Sequence, residues 1–233
     1  MGGDLTIYLP GEALPGYLAV PEHAGPWPGV LVLHQAFGLD DDIRRTTDRL
    51  AGMGYLSVAP DLVAAGRIKC LARLFRDVQR GRGESVERVE SLVAWLKARA
   101  DCTGSVGVIG FCVGGGLAYL LGCAGSVKVT APNYGKTPPG ELWPKSCPVV
   151  ASYGGRDRIF GRGAAKAEQG LGRGKIVHDV KLYPEAGHSF MNQTEGHRLM
   201  AVLTRPFMSV KYNREAAEDA WVRIEGFFAR YLK

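Results

Sequence analysis

The sequence predicts an α/β protein: a mostly parallel sheet flanked by helices on both faces and opened by an N-terminal hairpin. Three observations carry this. Short runs rich in Val, Ile and Leu alternate with longer stretches whose apolar residues recur at helical spacing. Strands joined by crossover helices run parallel and need cover on both faces. The chain has 233 residues, 46% hydrophobic and 22% charged, an ordinary mix for one domain spanning 1–233.

The elements follow in order. Leu5–Leu9 and Leu14–Val20 are two apolar runs separated by Pro10-Gly11-Glu12, whose turn residues make a hairpin. Val30–His34 is a buried strand. Asp40-Asp41-Asp42 offers N-caps for a helix carrying Ile43, Leu50 and Met53, which Gly54 ends. Tyr55–Ala59 is the next strand. Residues 62–83 are less regular, although Leu71, Leu74, Phe75 and Val78 keep helical spacing. Val86, Val89, Val93 and Leu96 mark an amphipathic helix. Val106–Phe111 is a strand, and Gly114–Gly122 a helix despite its glycines. Val127–Ala131, Val149–Tyr153 and His178–Tyr183 are further strands, with a short helix over Arg162–Leu171. Ala220, Ile224, Phe227, Phe228 and Tyr231 mark the closing helix.

Composition excludes several classes. Lys and Arg number 29 against 23 Asp and Glu, a formal charge of +6 without a basic tail, so no nucleic-acid partner is expected. No apolar run reaches membrane-spanning length and no leader is visible at the N-terminus, so a cytoplasmic protein without a membrane partner is expected. The five cysteines form no CxxC pair, which argues against a disulfide framework or a zinc site. His23, His178 and His197 lack acidic or thiol neighbours at metal spacing, so no metal is expected.

Chemistry concentrates in Val106-Gly107-Val108-Ile109-Gly110-Phe111-Cys112-Val113-Gly114-Gly115-Gly116. A strand, then G-x-C-x-G, then a helix is the nucleophile-elbow pattern with Cys in the reactive position. Gly110 and Gly114 leave room for a strained turn. The following helix aims free N–H groups and its positive dipole end at the same spot, favouring thiolate at Cys112 and an oxyanion beside it. The competing reading is a glycine-rich turn with a buried structural Cys. A dinucleotide fingerprint does not fit, because residues 110–116 read G-x-x-x-G-G-G.

Order along the chain favours the elbow. Asp157 lies just past the strand ending at Tyr153, and His188 just past the strand ending at Tyr183. Nucleophile, acid and base follow in that order in such folds, each at a strand end where ligands bind. The candidate catalytic residues are therefore Cys112, Asp157 and His188.

At these residues the chain resembles the dienelactone hydrolase family of α/β-hydrolases. The resemblance takes in the opening hairpin, Val30–Gly38, Ser57–Leu62, Gly110–Gly115 and Gly187-His188-Ser189-Phe190. It implies a thiol nucleophile, hydrolysis of a small-molecule ester or lactone, and no cofactor. It also implies an oxyanion site made by the backbone N–H groups of Val113 and Ala36. Two positions depart from the family: Gln35 stands where a Glu is usual, and Asn192 where lactone-cleaving members carry an Arg for the substrate carboxylate. Further pocket candidates are His34, Gln35, Phe37, Tyr134, Phe190 and Asn192. Arg76 and Arg80, with Arg73, share one helical face and could hold an anionic substrate or form a solvated surface. Acyl transfer by the same triad, or a silent ligand-binding scaffold, are the alternatives to hydrolysis. The oligomeric state, monomer or dimer, is left open.

Overall fold

The computed structural model describes residues 2–193 and 208–233. His197 lies outside them. Strands β1 (Gly3–Leu9) and β2 (Glu12–Ala19) form the hairpin, with Gly11 in the left-handed turn conformation. Then follow β3 (Trp27–Leu33), α1 (Asp41–Gly52) and β4 (Leu56–Pro60). Helices α2 (Arg67–Arg80) and α3 (Glu84–Lys97) lead to β5 (Cys102–Phe111) and α4 (Val113–Cys123). The chain continues through β6 (Val129–Asn133), a 3-10 turn (Gly140–Lys145), β7 (Val149–Gly154), α5 (Gly163–Arg173) and β8 (His178–Tyr183). It closes on α6 (Arg214–Leu232).

The eight strands form one sheet in the order β1-β2-β4-β3-β5-β6-β7-β8. Pairings β1–β2 and β2–β4 are antiparallel and the rest are parallel. This is the α/β-hydrolase architecture expected from the sequence. Alternation along the strands sends side chains to two opposite faces. Val30, Val32, Ile109 and Phe111 pack with Leu50, Trp221 and Phe228 of α1 and α6. Leu31, Leu33, Val106 and Val108 pack with Leu74, Val89, Leu92 and Leu117 of α2, α3 and α4. Helix α4 is buried along its whole length, as its nearly all-apolar sequence requires. Among the described residues no helix is long and apolar enough to cross a membrane.

Several boundaries differ from the sequence reading. The region 62–83 holds a continuous helix, α2, between Gly66 and the left-handed cap Gly81. No side chain caps its start, which is why no entry signal was visible. Strand β5 begins at Cys102, four residues early, because Thr103-Gly104-Ser105 masks the apolar pattern. Strand β6 covers Val129–Asn133, so Asn133 and not Ala131 ends it. Asp40 alone caps α1, accepting from the Ile43 N–H at 3.0 Å. Asp42 turns inward instead.

Candidate active site

Strand β5 delivers Cys112 at the sharpest turn in the site. Its backbone sits at φ 56°, ψ −116°, a region that costs a residue with a Cβ about 1–3 kcal/mol. The turn is held by the Cys112 N–H donating to Asn133 O at 3.1 Å and by the Gly116 N–H donating to Cys112 O at 3.2 Å. Close approach of backbones explains the flanking glycines. A Cβ on Gly110 would stand 2.1 Å from Gly114 O, and one on Gly114 would stand 2.3 Å from Leu33 O. Cys112 is half-buried, directly before the first turn of α4, whose N–H groups have no intrahelical acceptor.

The loop after β3 lies across this turn. His34 braces it from inside. Its Nδ1–H donates to Gln35 O at 2.5 Å, and its Nε2 accepts from the Leu62 N–H at 2.9 Å. Burial lowers the His34 pKa, and the two contacts define a neutral Nδ1–H tautomer. Both ring nitrogens of His34 are thus engaged within the chain. The Ala36 N–H has no protein acceptor among the described residues. Gln35 is buried; its Oε1 accepts from the Ser189 hydroxyl at 3.0 Å, while its Nε2 has no partner.

Asp157 follows β7, almost wholly buried. Its Oδ1 accepts from the N–H groups of Ile159 and Phe160, each at 3.0 Å. Its Oδ2 accepts from His188 Nδ1 at 2.6 Å. The loops that carry the two residues cross without space for a side chain: a Cβ on Gly154 would lie 2.2 Å from Gly187 O. The His188 ring sits between Phe160 and Tyr134, at centroid distances of 5.2 and 5.1 Å. Its Nε2 is buried without a hydrogen-bond partner. Burial opposes charge on the ring, but the negative charges of Cys112 and Asp157 outweigh it and push the His188 pKa up to about 9. Cys112 is thus coupled to the ring.

The other candidates separate into two groups. Tyr134 is fully buried, with φ 41°, and its edge meets the His188 ring. Phe190 packs beneath it, against Tyr134 and Tyr183. Asn192 is buried with both ends of its amide engaged: Oδ1 accepts from the Tyr134 hydroxyl, and Nδ2 donates to Asp42 Oδ2 at 2.6 Å. One of its two amide hydrogens is thereby committed to Asp42, and the nitrogen carries no positive charge for a substrate carboxylate. Phe37 is half-buried in the loop beside Ala36. The arginine face of α2 is mostly committed to carboxylates of its own chain. Arg73 pairs with Glu84 at 2.5 Å and Arg76 with Asp77 at 3.2 Å, while Arg80 is solvent-exposed in the last turn. Arg73 and Arg76 thus have carboxylate partners of their own, which fits the solvated surface offered by the sequence better than an anion-holding face.

Sequence reasoning missed Phe160, Ser189 and Asp42. Phe160 and Ser189 lie three and one residues past Asp157 and His188, so proximity to the candidates was their only signal. Asp42 was hidden within a run of three capping candidates. Among the described residues no three His, Cys, Asp or Glu side chains converge as a metal site requires.

A strained strand–helix turn holding Cys112, with Asp157 and His188 at the next strand ends of a sheet in this order, places the chain among the α/β-hydrolases. It belongs to the dienelactone hydrolase family, whose profile matches residues 14–232. A relative from Methylorubrum extorquens, provisionally named a carboxymethylenebutenolidase, is 29% identical over 99% of this chain and 81% of its own length. One of the same provisional name from Yersinia pestis is 29% identical over 98% and 88%. The crystal structure of a provisional dienelactone hydrolase from Klebsiella pneumoniae superposes with a TM-score of 0.81, at 26% identity over 99% of both chains. A dienelactone hydrolase-like promiscuous phosphotriesterase from metagenomic libraries shares the fold with a TM-score of 0.84, at 23% identity over 100% and 99%.

Proposed function

We propose that this chain is a cysteine hydrolase, acting as a single catalytic unit, that cleaves small esters or lactones through an acyl-enzyme on Cys112. The observation that carries the reading is the His188 ring. It is held by Asp157 at Nδ1, clamped between two aromatic rings, and left with a buried, unpartnered Nε2 coupled to Cys112. Buried polar atoms are rarely left unpaired, and an orphan of this kind costs about 1–3 kcal/mol. A proton-transfer role explains it.

The steps follow from this geometry. His188 takes the thiol proton, and Asp157 orients and stabilises the resulting imidazolium. The Cys112 sulfur attacks the carbonyl carbon, and the electron pair moves onto the carbonyl oxygen. The N–H groups of Val113 and Ala36 receive that oxyanion. As the C–O bond of the leaving group breaks, His188 returns its proton to the departing oxygen. Acylation also erases the negative charge of Cys112, one of the contributions that raise the His188 pKa. Burial then pulls the ring toward neutrality, which readies Nε2 to deprotonate water for deacylation.

A pH dependence follows. For an ester with a poor leaving group, kcat/KM requires the imidazolium, so it should fall as pH rises through about 9. A profile measured from pH 5 to 10.5 checks this. A midpoint near the ordinary His value of about 6.5 would contradict the coupling.

The surroundings favour uncharged substrates. Asn192 is internally engaged, the Asp42 carboxylate lies behind it, and Arg73 and Arg76 are paired. Losing one charge-assisted contact costs about 1.5–3 kcal/mol, or roughly 10- to 150-fold in kcat/KM. Neutral aryl esters should therefore surpass a dienelactone carboxylate by that order. The test compares 4-nitrophenyl acetate, a neutral lactone and dienelactone at two salt concentrations. If dienelactone is the best of the three and its rate falls with salt, the preference is wrong. If no ester or lactone is cleaved, the hydrolase reading itself fails.

A further inference from the structure

We propose that Asp42, on the first turn of α1, is a positioning residue for His188, acting through Asn192 and Tyr134. The inference rests on the reading of His188 given above. Asp42 is buried, with two oxygens and three donors. Oδ2 accepts from Asn192 Nδ2 at 2.6 Å, and Oδ1 accepts from the Gln193 N–H at 2.9 Å. Arg45, one turn along α1, donates to Asp42 Oδ1 at 3.1 Å and to Gln193 O at 3.2 Å. The peptide groups flanking Gln193 are thus gripped from one helix at both N–H and C=O.

The grip has a direction. Asn192 lies four residues after His188, and its N–H donates to Ser189 O at 3.0 Å, so the loop between them is a tight turn. Its amide passes the constraint on: Oδ1 accepts from the Tyr134 hydroxyl, and the Tyr134 ring forms one wall of the clamp on His188. Tyr134 is itself fixed at the end of β6, its N–H donating to Ser152 O at 2.7 Å while it holds a left-handed backbone. The chain runs unbroken from Asp42 to Asn192, Tyr134 and the imidazole. Asp157 sets one edge of the ring; this chain sets its face. Asp40 already caps α1, so Asp42 is not needed as the cap.

A helix N-terminus suits a carboxylate, so Asp42 is held in place while its oxygens face the loop. Removing it would leave Asn192 Nδ2 and the Gln193 N–H without their acceptor. The loop would then relax and Tyr134 would lose its tether. A catalytic group displaced by a fraction of an ångström to 1 Å loses up to about 100-fold in rate.

Four variants test this: Asp42→Ala, Asp42→Asn, Tyr134→Phe and the double variant Asp42→Ala with Tyr134→Phe. For 4-nitrophenyl acetate, Asp42→Ala should lower kcat roughly 10- to 30-fold with KM changed less than about threefold. On an ester with a poor leaving group its basic pH limb should also move below 9, because a ring drifting from Cys112 keeps the burial that opposes its charge. Asp42→Asn keeps one acceptor oxygen and should recover most of kcat. Tyr134→Phe cuts the same chain one link on, so it should slow the enzyme in the same way, and the double variant should be no worse than Asp42→Ala alone. A lowered melting temperature with unchanged kcat and pH limb would make Asp42 merely structural and overturn the inference. Effects that multiply in the double variant would overturn the shared route. Should Asp42→Ala not fold, Tyr134→Phe and Asp42→Asn still decide: unchanged kcat and pH limb in Tyr134→Phe reject the proposal. Failure of the underlying reading is separate. An active Cys112→Ala defeats the site assignment whatever Asp42 does, whereas an inactive one beside an unaltered Tyr134→Phe defeats only this inference.

Discussion

Cys112→Ala should lose about 10⁴- to 10⁶-fold in kcat while keeping its fold, the scale seen when a nucleophile is removed from a triad acting as a unit. The substitution removes only the sulfur. The Cβ that occupies the strained elbow at φ 56° stays, so the turn is no worse off than before. Cys112→Ser should also be much slower than the native enzyme, because a hydroxyl is far less acidic than a thiol. The other four cysteines supply the control. Cys123 and Cys147 are held by burial at pKa values up to about 11 and about 12, which makes them inert at neutral pH. Cys70 on α2 and Cys102 at the start of β5 are buried in one apolar cluster. Changing any of these four should leave kcat within a few-fold. Steady-state rates on 4-nitrophenyl acetate, with circular dichroism to verify folding, check the set. A Cys112→Ala enzyme that still turns over removes the nucleophile assignment.

Gly114→Ala should be nearly as damaging for a different reason. Its new Cβ would lie 2.3 Å from Leu33 O and 2.6 Å from His34 O, both backbone atoms that cannot swing aside. Relief requires α4 to move away from the end of β3. That separation pulls the Val113 N–H from the Ala36 N–H, the two donors assigned to the oxyanion. Overpacking of this kind costs about 1–3 kcal/mol of stability. Loss of one well-placed oxyanion donor costs about 10²- to 10³-fold in kcat. The expected outcome is a folded protein with a lowered melting temperature and kcat down at least ~100-fold, with KM little altered. Native kcat in a folded Gly114→Ala protein would show that the two backbones do not cooperate.

How much of this was legible in the sequence depended on the range of the interaction. Cys112, Asp157 and His188 could be brought forward as candidates because each lies just past a strand, and strand ends are set by local pattern. The hairpin turn at Gly11 and the cap at Asp40 were local signals as well. What escaped reading was built from partners far apart in the chain. The position of His34 at the end of β3 left a pocket role and a hydrogen-bonded supporting role equally open; the bond from the Leu62 N–H, 28 positions on, is what the sequence could not show. Asn192 looked like a donor for substrate; its engagement depends on Tyr134 and on Asp42, 150 positions back. Arg73, Arg76 and Arg80 have helical spacing, but spacing says nothing of Glu84 and Asp77, which pair with the first two. Helix α2 was half-seen for a related reason: its ends are set by the backbone of Gly66 and Gly81, not by a capping side chain.

The mechanism stands on one covalent bond. Rapid mixing of the native enzyme with excess 4-nitrophenyl acetate, followed by acid quench, proteolysis and mass spectrometry, asks where the acyl group resides during turnover. The prediction is a burst of 4-nitrophenol close to one equivalent and a single acetyl group on the peptide carrying Cys112, both absent from Cys112→Ala. Turnover with no acylated Cys112, or with the acyl group on another side chain, would contradict the mechanism derived from the elbow.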